Sequence, residues 1–125
     1  MSTDQIRIAG TGFLFLLTFI SGFWLSRSGK PFNAIVLTIH KLISLAAAVF
    51  LGIAMYQTNQ VAALSTIQLT AGVVTGLFFL DAIVSGGLLS TDKPMPAAIL
   101  TMHRITPFLT VLSAAVTLYL LVSHK

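Results

Sequence analysis

The chain has 125 residues, of which 56% are hydrophobic and 8% charged, with a mean hydropathy of +0.96. A water-soluble domain carries roughly 25% charged residues, so a soluble fold is excluded. Seven Lys and Arg against three Asp and Glu give a net charge of +4, too thin for a nucleic-acid surface but suited to the cytoplasmic loops of a membrane protein. The absence of cysteine excludes disulfides, thiolate metal sites, iron–sulfur clusters and covalent haem attachment.

Four apolar stretches follow one another along the chain. The first, about Ile8–Ser26, is long enough to cross a bilayer, which takes about 20 apolar residues in a helix. Its flank "LSRSGK" lacks an Ala-x-Ala-like cleavage site, so it reads as a retained helix rather than a signal peptide. The turn "SRSGKP" breaks the pattern, and Pro31 suits the start of a following helix over about Asn33–Tyr56. An uncharged loop, 56–66, leads to a third span over about Leu64–Leu89. The turn "STDKP" and Pro94 introduce the fourth, about Ala97–Val122. The runs are continuous rather than alternating, and four strands in lipid would leave open edges, so the spanning elements are helices.

The chain is a duplication. At an offset of 64, "TGFLFL" (11–16) meets "TGLFFL" (75–80) and "ISGFWLS" (20–26) meets "VSGGLLS" (84–90). After one gap at Gly29, "KPFNAIVLTIHK" (30–41) meets "KPMPAAILTMHR" (93–104) at an offset of 63. Eight of eighteen positions before the gap and six of twelve after it are identical. Tyr56 then falls on Tyr119. Each repeat, about 8–56 and about 64–122, is a two-helix hairpin. The expected fold is therefore all-α: an integral membrane four-helix up-down-up-down bundle built from two tandem repeats, related by a pseudo-two-fold axis along the membrane normal. Helices 2 and 4 are expected to be diagonal, so that His40 and His103 face each other at equal depth.

Arg27, Lys30 and Lys93 lie in the turns within the repeats, with Lys41 and Arg104 close by, while Arg7 and Lys125 mark the other side. The positive-inside rule then puts both turns in the cytoplasm and both termini outside, as expected of a bacterial inner-membrane protein, with Tyr56 and Tyr119 at the outer interface. His40 and His103 are about 10 Å into their helices. Ionisable residues at such depth are functional candidates by default. Two imidazoles on opposite helices form the axial ligand set of a low-spin haem. A ligating imidazole needs a hydrogen bond on its second nitrogen. Thr38 and Thr101 point elsewhere on their helices, and Ser44 and Pro107 lie one turn beyond the histidines. Proline at 107 leaves the His103 carbonyl without its helical donor and is expected to bend the helix there. Ser21-Gly22 and Ser85-Gly86 lie near the depth of the histidines, where glycine gives a flat macrocycle room against the backbone. Lys41 and Arg104 can snorkel towards two propionates.

This constellation resembles the four-helix membrane b-type cytochromes, the cytochrome b group, in which diagonal helices supply paired histidines and small residues make room for the ring. The resemblance covers the architecture and the regions around 20–41 and 84–104. It implies one haem b ligated by His40 and His103 and a role in electron transfer, with quinol or a redox protein as partner in addition to membrane lipid. Two-haem members carry a second histidine 13 or 14 residues along each ligand helix. Here those positions are Ile53, Ala54, Val116 and Thr117, so a second haem is not implied.

Other readings of the same residues stand beside this one. The histidine pair could serve a quinone or proton site without haem, or act as packing glue worth about 0.6 kcal/mol, in a cofactor-free transport or complex-assembly subunit. Two histidines are too few for zinc. Gly72 and Gly76 read as close-packing glycines, a role open to Gly22 and Gly86 as well. Lys41 and Arg104 also serve topology. Asp81, whose repeat partner is Leu17, is an intramembrane carboxylate and a candidate proton or quinone site, able to bond a threonine or the histidine region. His124 reads as terminal and solvated. Six-coordinate iron leaves no open position, so an electron carrier is expected rather than an enzyme, with the oligomeric state left open.

Overall fold

The computed structural model describes residues 2–91 and 93–123. Asp92 of the second turn, and His124 and Lys125 at the expected outer end, lie outside the described residues. Four helices follow in order: α1 (Thr3–Ser28), α2 (Ala34–Val61), α3 (Thr66–Leu89) and α4 (Ala97–Ser123). They are 26, 28, 24 and 27 residues long, and all four are long and apolar enough to cross a membrane. At 1.5 Å per residue they reach about 36–42 Å, the thickness of a bilayer with its headgroups.

Both hairpins also open on the same Ser-Thr-x-Gln pattern, at an offset of 63 and so one residue out of step with the 64 that holds from 11 to 28. Both α1 and α3 begin at a reciprocal cap. The Ser2 side chain accepts from the Gln5 backbone N–H at 3.2 Å while the Gln5 side chain accepts from the Ser2 backbone N–H at 2.9 Å. Ser65 and Gln68 repeat this at 3.3 and 2.8 Å. Two of the four orphan donors of each helix start are thus satisfied, and α1 begins at Thr3 rather than near Ile8.

The gap at Gly29 also has a structural cause. α1 closes on Gly29, at φ 68°, with its N–H bonded to the Leu25 carbonyl. The left-handed φ favours glycine. α3 closes on Ser90 at φ −81° and uses no such residue. Two expectations at element ends are corrected. Pro31 and Pro94 lie in the turns, three residues ahead of α2 and α4, not at their first positions. Asn33 instead caps α2, its side-chain oxygen accepting from the Ile35 and Val36 N–H groups at 2.9 and 3.2 Å. The segment after Tyr56 is helical to Val61, since its polar residues find local partners: Thr58 donates to the Ala54 carbonyl and the Asn59 side chain accepts from the Leu64 N–H. The connection to α3 is correspondingly short.

The chain forms two compact units, one reaching to Gly52 and the other starting at Ile53. The first pairs α1 with most of α2 in antiparallel register, with Ser21 against His40 and Gly10 against the ring of Phe50. The second pairs α3 with α4. Its cross-bonds join 75 to 117, 81 to 106 and 85 to 103, which fixes the antiparallel register. The last turns of α2 join this unit, where Met55 fills the space over Gly72.

The side-chain distribution is inverted relative to a water-soluble protein. Thr11, Ser21, Gln68, Thr75, Ser85, Thr106, Thr110 and Thr117 are buried, while Phe13, Phe23, Trp24, Leu77, Phe108 and Leu112 are exposed. In lipid this is the stable arrangement, because apolar chains face hydrocarbon and most buried polar groups bond inside the hairpins, the Thr11 hydroxyl excepted among the described residues.

Candidate functional site

Each hairpin holds its histidine in the same cradle. In the first unit, His40 Nδ1 lies 2.9 Å from Ser21 Oγ and 3.1 Å from the Thr18 carbonyl. Ser21 Oγ in turn donates to the Leu17 or Thr18 carbonyl, at 2.9 and 3.0 Å. A carbonyl only accepts, so Nδ1 carries the ring proton, and the serine oxygen, its own hydrogen committed to the backbone, accepts as well. In the second unit, His103 Nδ1 lies 3.0 Å from Ser85 Oγ, Ser85 donates to the Ala82 carbonyl at 3.2 Å, and His103 also bonds the backbone of Ala82. Ala82 is the repeat partner of Thr18 at the offset of 64. A neutral imidazole with its proton on Nδ1 carries its lone pair on Nε2. This tautomer, fixed by a hydroxyl and a carbonyl behind the ring, is the form in which histidine ligates a metal.

Ser21 and Ser85 therefore set the direction and tautomer of the two rings. The hydrogen bond that the helix of each histidine lacks comes from the partner helix. Gly22 and Gly86 make room for the ring itself. A Cβ at Gly22 would stand 3.0 Å from His40 Cε1, and one at Gly86 would stand 2.7 Å from His103 Cε1. Both histidines are half-buried, and Lys41 and Arg104, next in the chain, are exposed. α4 continues through Pro107.

The other sequence candidates separate. Asp81 accepts a hydrogen bond from Thr106 Oγ1 at 2.7 Å, across the α3–α4 contact. Gly72 is packed by Met55, whereas nothing lies within 4 Å of a Cβ placed on Gly76. The packing role expected of both glycines holds for Gly72 within the second unit, and no neighbour in that unit packs Gly76. Sequence reading passed over a buried hydroxyl cluster in the second unit. Thr75 Oγ1 lies 2.6 Å from Ser113 Oγ and 3.1 Å from Thr117 Oγ1. Its signal is the spacing of hydroxyl residues along α4 at 106, 110, 113 and 117, one helix face.

Among the described residues no three His, Asp or Glu side chains gather to hold a metal ion. A metal bound wholly by protein ligands thus has no ready site there. A haem asks less of the protein, because the porphyrin fills four positions and only two axial imidazoles are required. The donors present, two histidines oriented from behind by a serine and a carbonyl, are chemically those a haem takes. No family model, curated protein or solved structure matches the chain.

Proposed function

We propose that the protein is a membrane-bound b-type cytochrome, an electron carrier in which His40 and His103 ligate one haem b through Nε2. The observation that carries the reading is the duplicated cradle. Two histidines, one per repeat, are each locked by a serine and a carbonyl into the tautomer that ligates iron. Packing glue alone does not require both copies to keep serine, glycine and histidine together, when neighbouring residues such as Phe23 and Gly87 or Trp24 and Leu88 have diverged.

The reading requires the two hairpins to come together with α2 and α4 diagonal, so that the two Nε2 atoms converge on one iron. When bound, haem iron alternates between ferrous and ferric and so carries one electron. The residues around it have separate tasks. Ser21 and Ser85 hold the imidazoles in direction and strengthen them as ligands. Gly22 and Gly86 let each ring sit close against the neighbouring helix. Lys41 and Arg104, long and exposed, neutralise the propionates at the membrane edge. The cluster of cations at the turns within the repeats supports a site on the cytoplasmic side of a bacterial inner membrane, with both termini outside. Quinol or a redox protein is the electron partner.

Protein purified from haem-replete cells tests this. A sharp Soret band, visible bands that split on reduction, and one haem per chain are expected. A colourless preparation from such cells would replace the reading with a cofactor-free transport or assembly subunit.

A further inference from the structure

The two turns within the repeats share a Lys-Pro step but differ in charge and in aromatic residues. The first, with the helix end before it, reads "FWLSRSGKPF" (23–32), and the second reads "GLLSTDKPM" (87–95). The first stretch holds Arg27 and Lys30 and no acidic residue, whereas Lys93 in the second is offset by Asp92. Phe23, Trp24 and Phe32 of the first meet Gly87, Leu88 and Met95 of the second. Membrane topology reads the count of Lys and Arg and takes little notice of Asp or Glu. Orientation therefore needs neither the missing acid nor the added rings.

Both cations of the first turn are held by its rings. The Arg27 guanidinium lies 5.7 Å from the Phe23 ring centroid, and the Lys30 ammonium lies 5.9 Å from that of Phe32. Each distance is within reach of a cation–π contact. α1 ends between the two cations on Gly29, whose left-handed φ and N–H bond to the Leu25 carbonyl turn the chain sharply. A guanidinium stacked through its face keeps its N–H donors at the edge, in the fork that matches phosphate oxygens. Arg27, Lys30, Phe23 and Trp24 are all exposed. From Arg27 towards the middle of α1 follow Phe23, Ile20 and Leu16, at steps of four, three and four residues. Such steps keep side chains on one face, and all three are exposed. A site for a water-soluble phosphate needs no such apolar face. A lipid does, because its headgroup meets the cations while an acyl chain lies along the apolar residues.

We propose that the first turn binds an anionic phospholipid, with Arg27 and Lys30 on the phosphate and Phe23, Ile20 and Leu16 along an acyl chain. Trp24 stands beside them as an aromatic anchor at the headgroup boundary. Charge complementarity selects the class of lipid. Two cations with no acid nearby attract a net anionic headgroup, whereas a zwitterionic one brings its own ammonium against them. The rings hold the cations before the lipid arrives, so less side-chain freedom is lost on binding. Every residue of the site belongs to the unit that ends at Gly52, and the site requires neither haem nor the second hairpin.

The test reads Trp24, the one tryptophan of the chain, in liposomes of equal parts phosphatidylglycerol and phosphatidylcholine. Bromine is placed on the acyl chains of one lipid and then of the other, and the ratio of the two quenching efficiencies reports the lipid beside Trp24. The ratio cancels any constant quenching within the protein, haem included. In the wild type, phosphatidylglycerol should be enriched at least about fivefold, the contribution of one cation at an anionic surface. Arg27→Gln/Lys30→Gln should show no preference, and Phe23→Leu/Phe32→Leu, which keeps both charges, should lose about twofold. Lys93→Gln should match the wild type. If the double glutamine variant does not insert, Arg27→Gln alone carries the test, with the preference at least halved. Native mass spectrometry of the same proteins, counting the phosphatidylglycerol retained, repeats the comparison without tryptophan emission. No preference in the wild type, or an unchanged preference in the glutamine variants, would overturn the proposal. So would loss of the wild-type preference to excess glycerol 3-phosphate at constant ionic strength, since that competitor carries the phosphate without acyl chains.

Discussion

Gly86→Ala is the sharpest probe of the histidine cradle, because the structure sets its size in advance. A Cβ at Gly86 would lie 2.7 Å from His103 Cε1, and at Gly22 the same atom would lie 3.0 Å from His40 Cε1. Carbon–carbon contact is comfortable from about 3.5 Å. The His103 ring must therefore retreat by about 0.8 Å and the His40 ring by about 0.5 Å. Serine and glycine are adjacent on the same helix, so each ring moves away from its serine as it moves away from the new methyl. The Ser85–His103 bond, 3.0 Å long, stretches beyond hydrogen-bonding range, while the Ser21–His40 bond, at 2.9 Å, is strained and kept. Loss of one such bond costs about 1 kcal/mol. Overpacking adds about 1–3 kcal/mol, and the better helix propensity of alanine returns up to about 1 kcal/mol. The net destabilisation is about 1–3 kcal/mol for Gly86→Ala and about 1 kcal/mol less for Gly22→Ala, which keeps its bond. Unfolding in detergent, followed by circular dichroism, measures both. A double-mutant cycle isolates the cause, since Ser85→Ala and Gly86→Ala remove the same bond and must combine to less than their sum. Strict additivity, or Gly22→Ala as damaging as Gly86→Ala, would refute the argument.

Three further outcomes follow from the two units. Gly72→Leu should destabilise the protein by about 1–3 kcal/mol by displacing Met55, whereas Gly76→Leu, in open space, should stay within about 0.5 kcal/mol. Thermal unfolding of the two variants compares them directly. Ser65→Ala should cost about 1 kcal/mol through its cap, and Gln68→Ala should cost more because it also breaks the bond to the Leu120 carbonyl. Equal losses would argue against that cross-helix bond. A reporter fused after Lys125 should show periplasmic activity, while cytoplasmic activity there would invert the proposed orientation.

Much of the fold was legible in the sequence because membrane helices announce themselves by length and apolarity. The four spans were placed within a few residues where the chain ends them sharply, as at Leu89 and Ala97. They were misjudged at Thr3 and Val61, where polar residues continue the helix by satisfying its ends locally through Ser2, Gln5, Thr58 and Asn59. Repetition singled out His40, His103 and the Ser-Gly pairs as a set. What each does to the other was hidden, since a contact between residues 21 and 40 depends on how two helices rotate against each other. The second-nitrogen partners are serines of the neighbouring helix, which the residues close to each histidine in sequence do not indicate. Asp81 stood out by charge alone. Its threonine partner and the hydroxyl face behind it became visible only once α3 and α4 were aligned, although the steps of three and four along α4 are present in the sequence.

The central claim, that both repeats contribute one ligand to a single haem, is tested most directly by the low-temperature electron paramagnetic resonance spectrum of the oxidised protein. The comparison is between wild type and the single variants His40→Ala and His103→Ala at matched membrane insertion. The account predicts a low-spin bis-imidazole signal at one haem per chain in the wild type and its loss in each variant alone. A bis-imidazole signal that survives in either variant would contradict it.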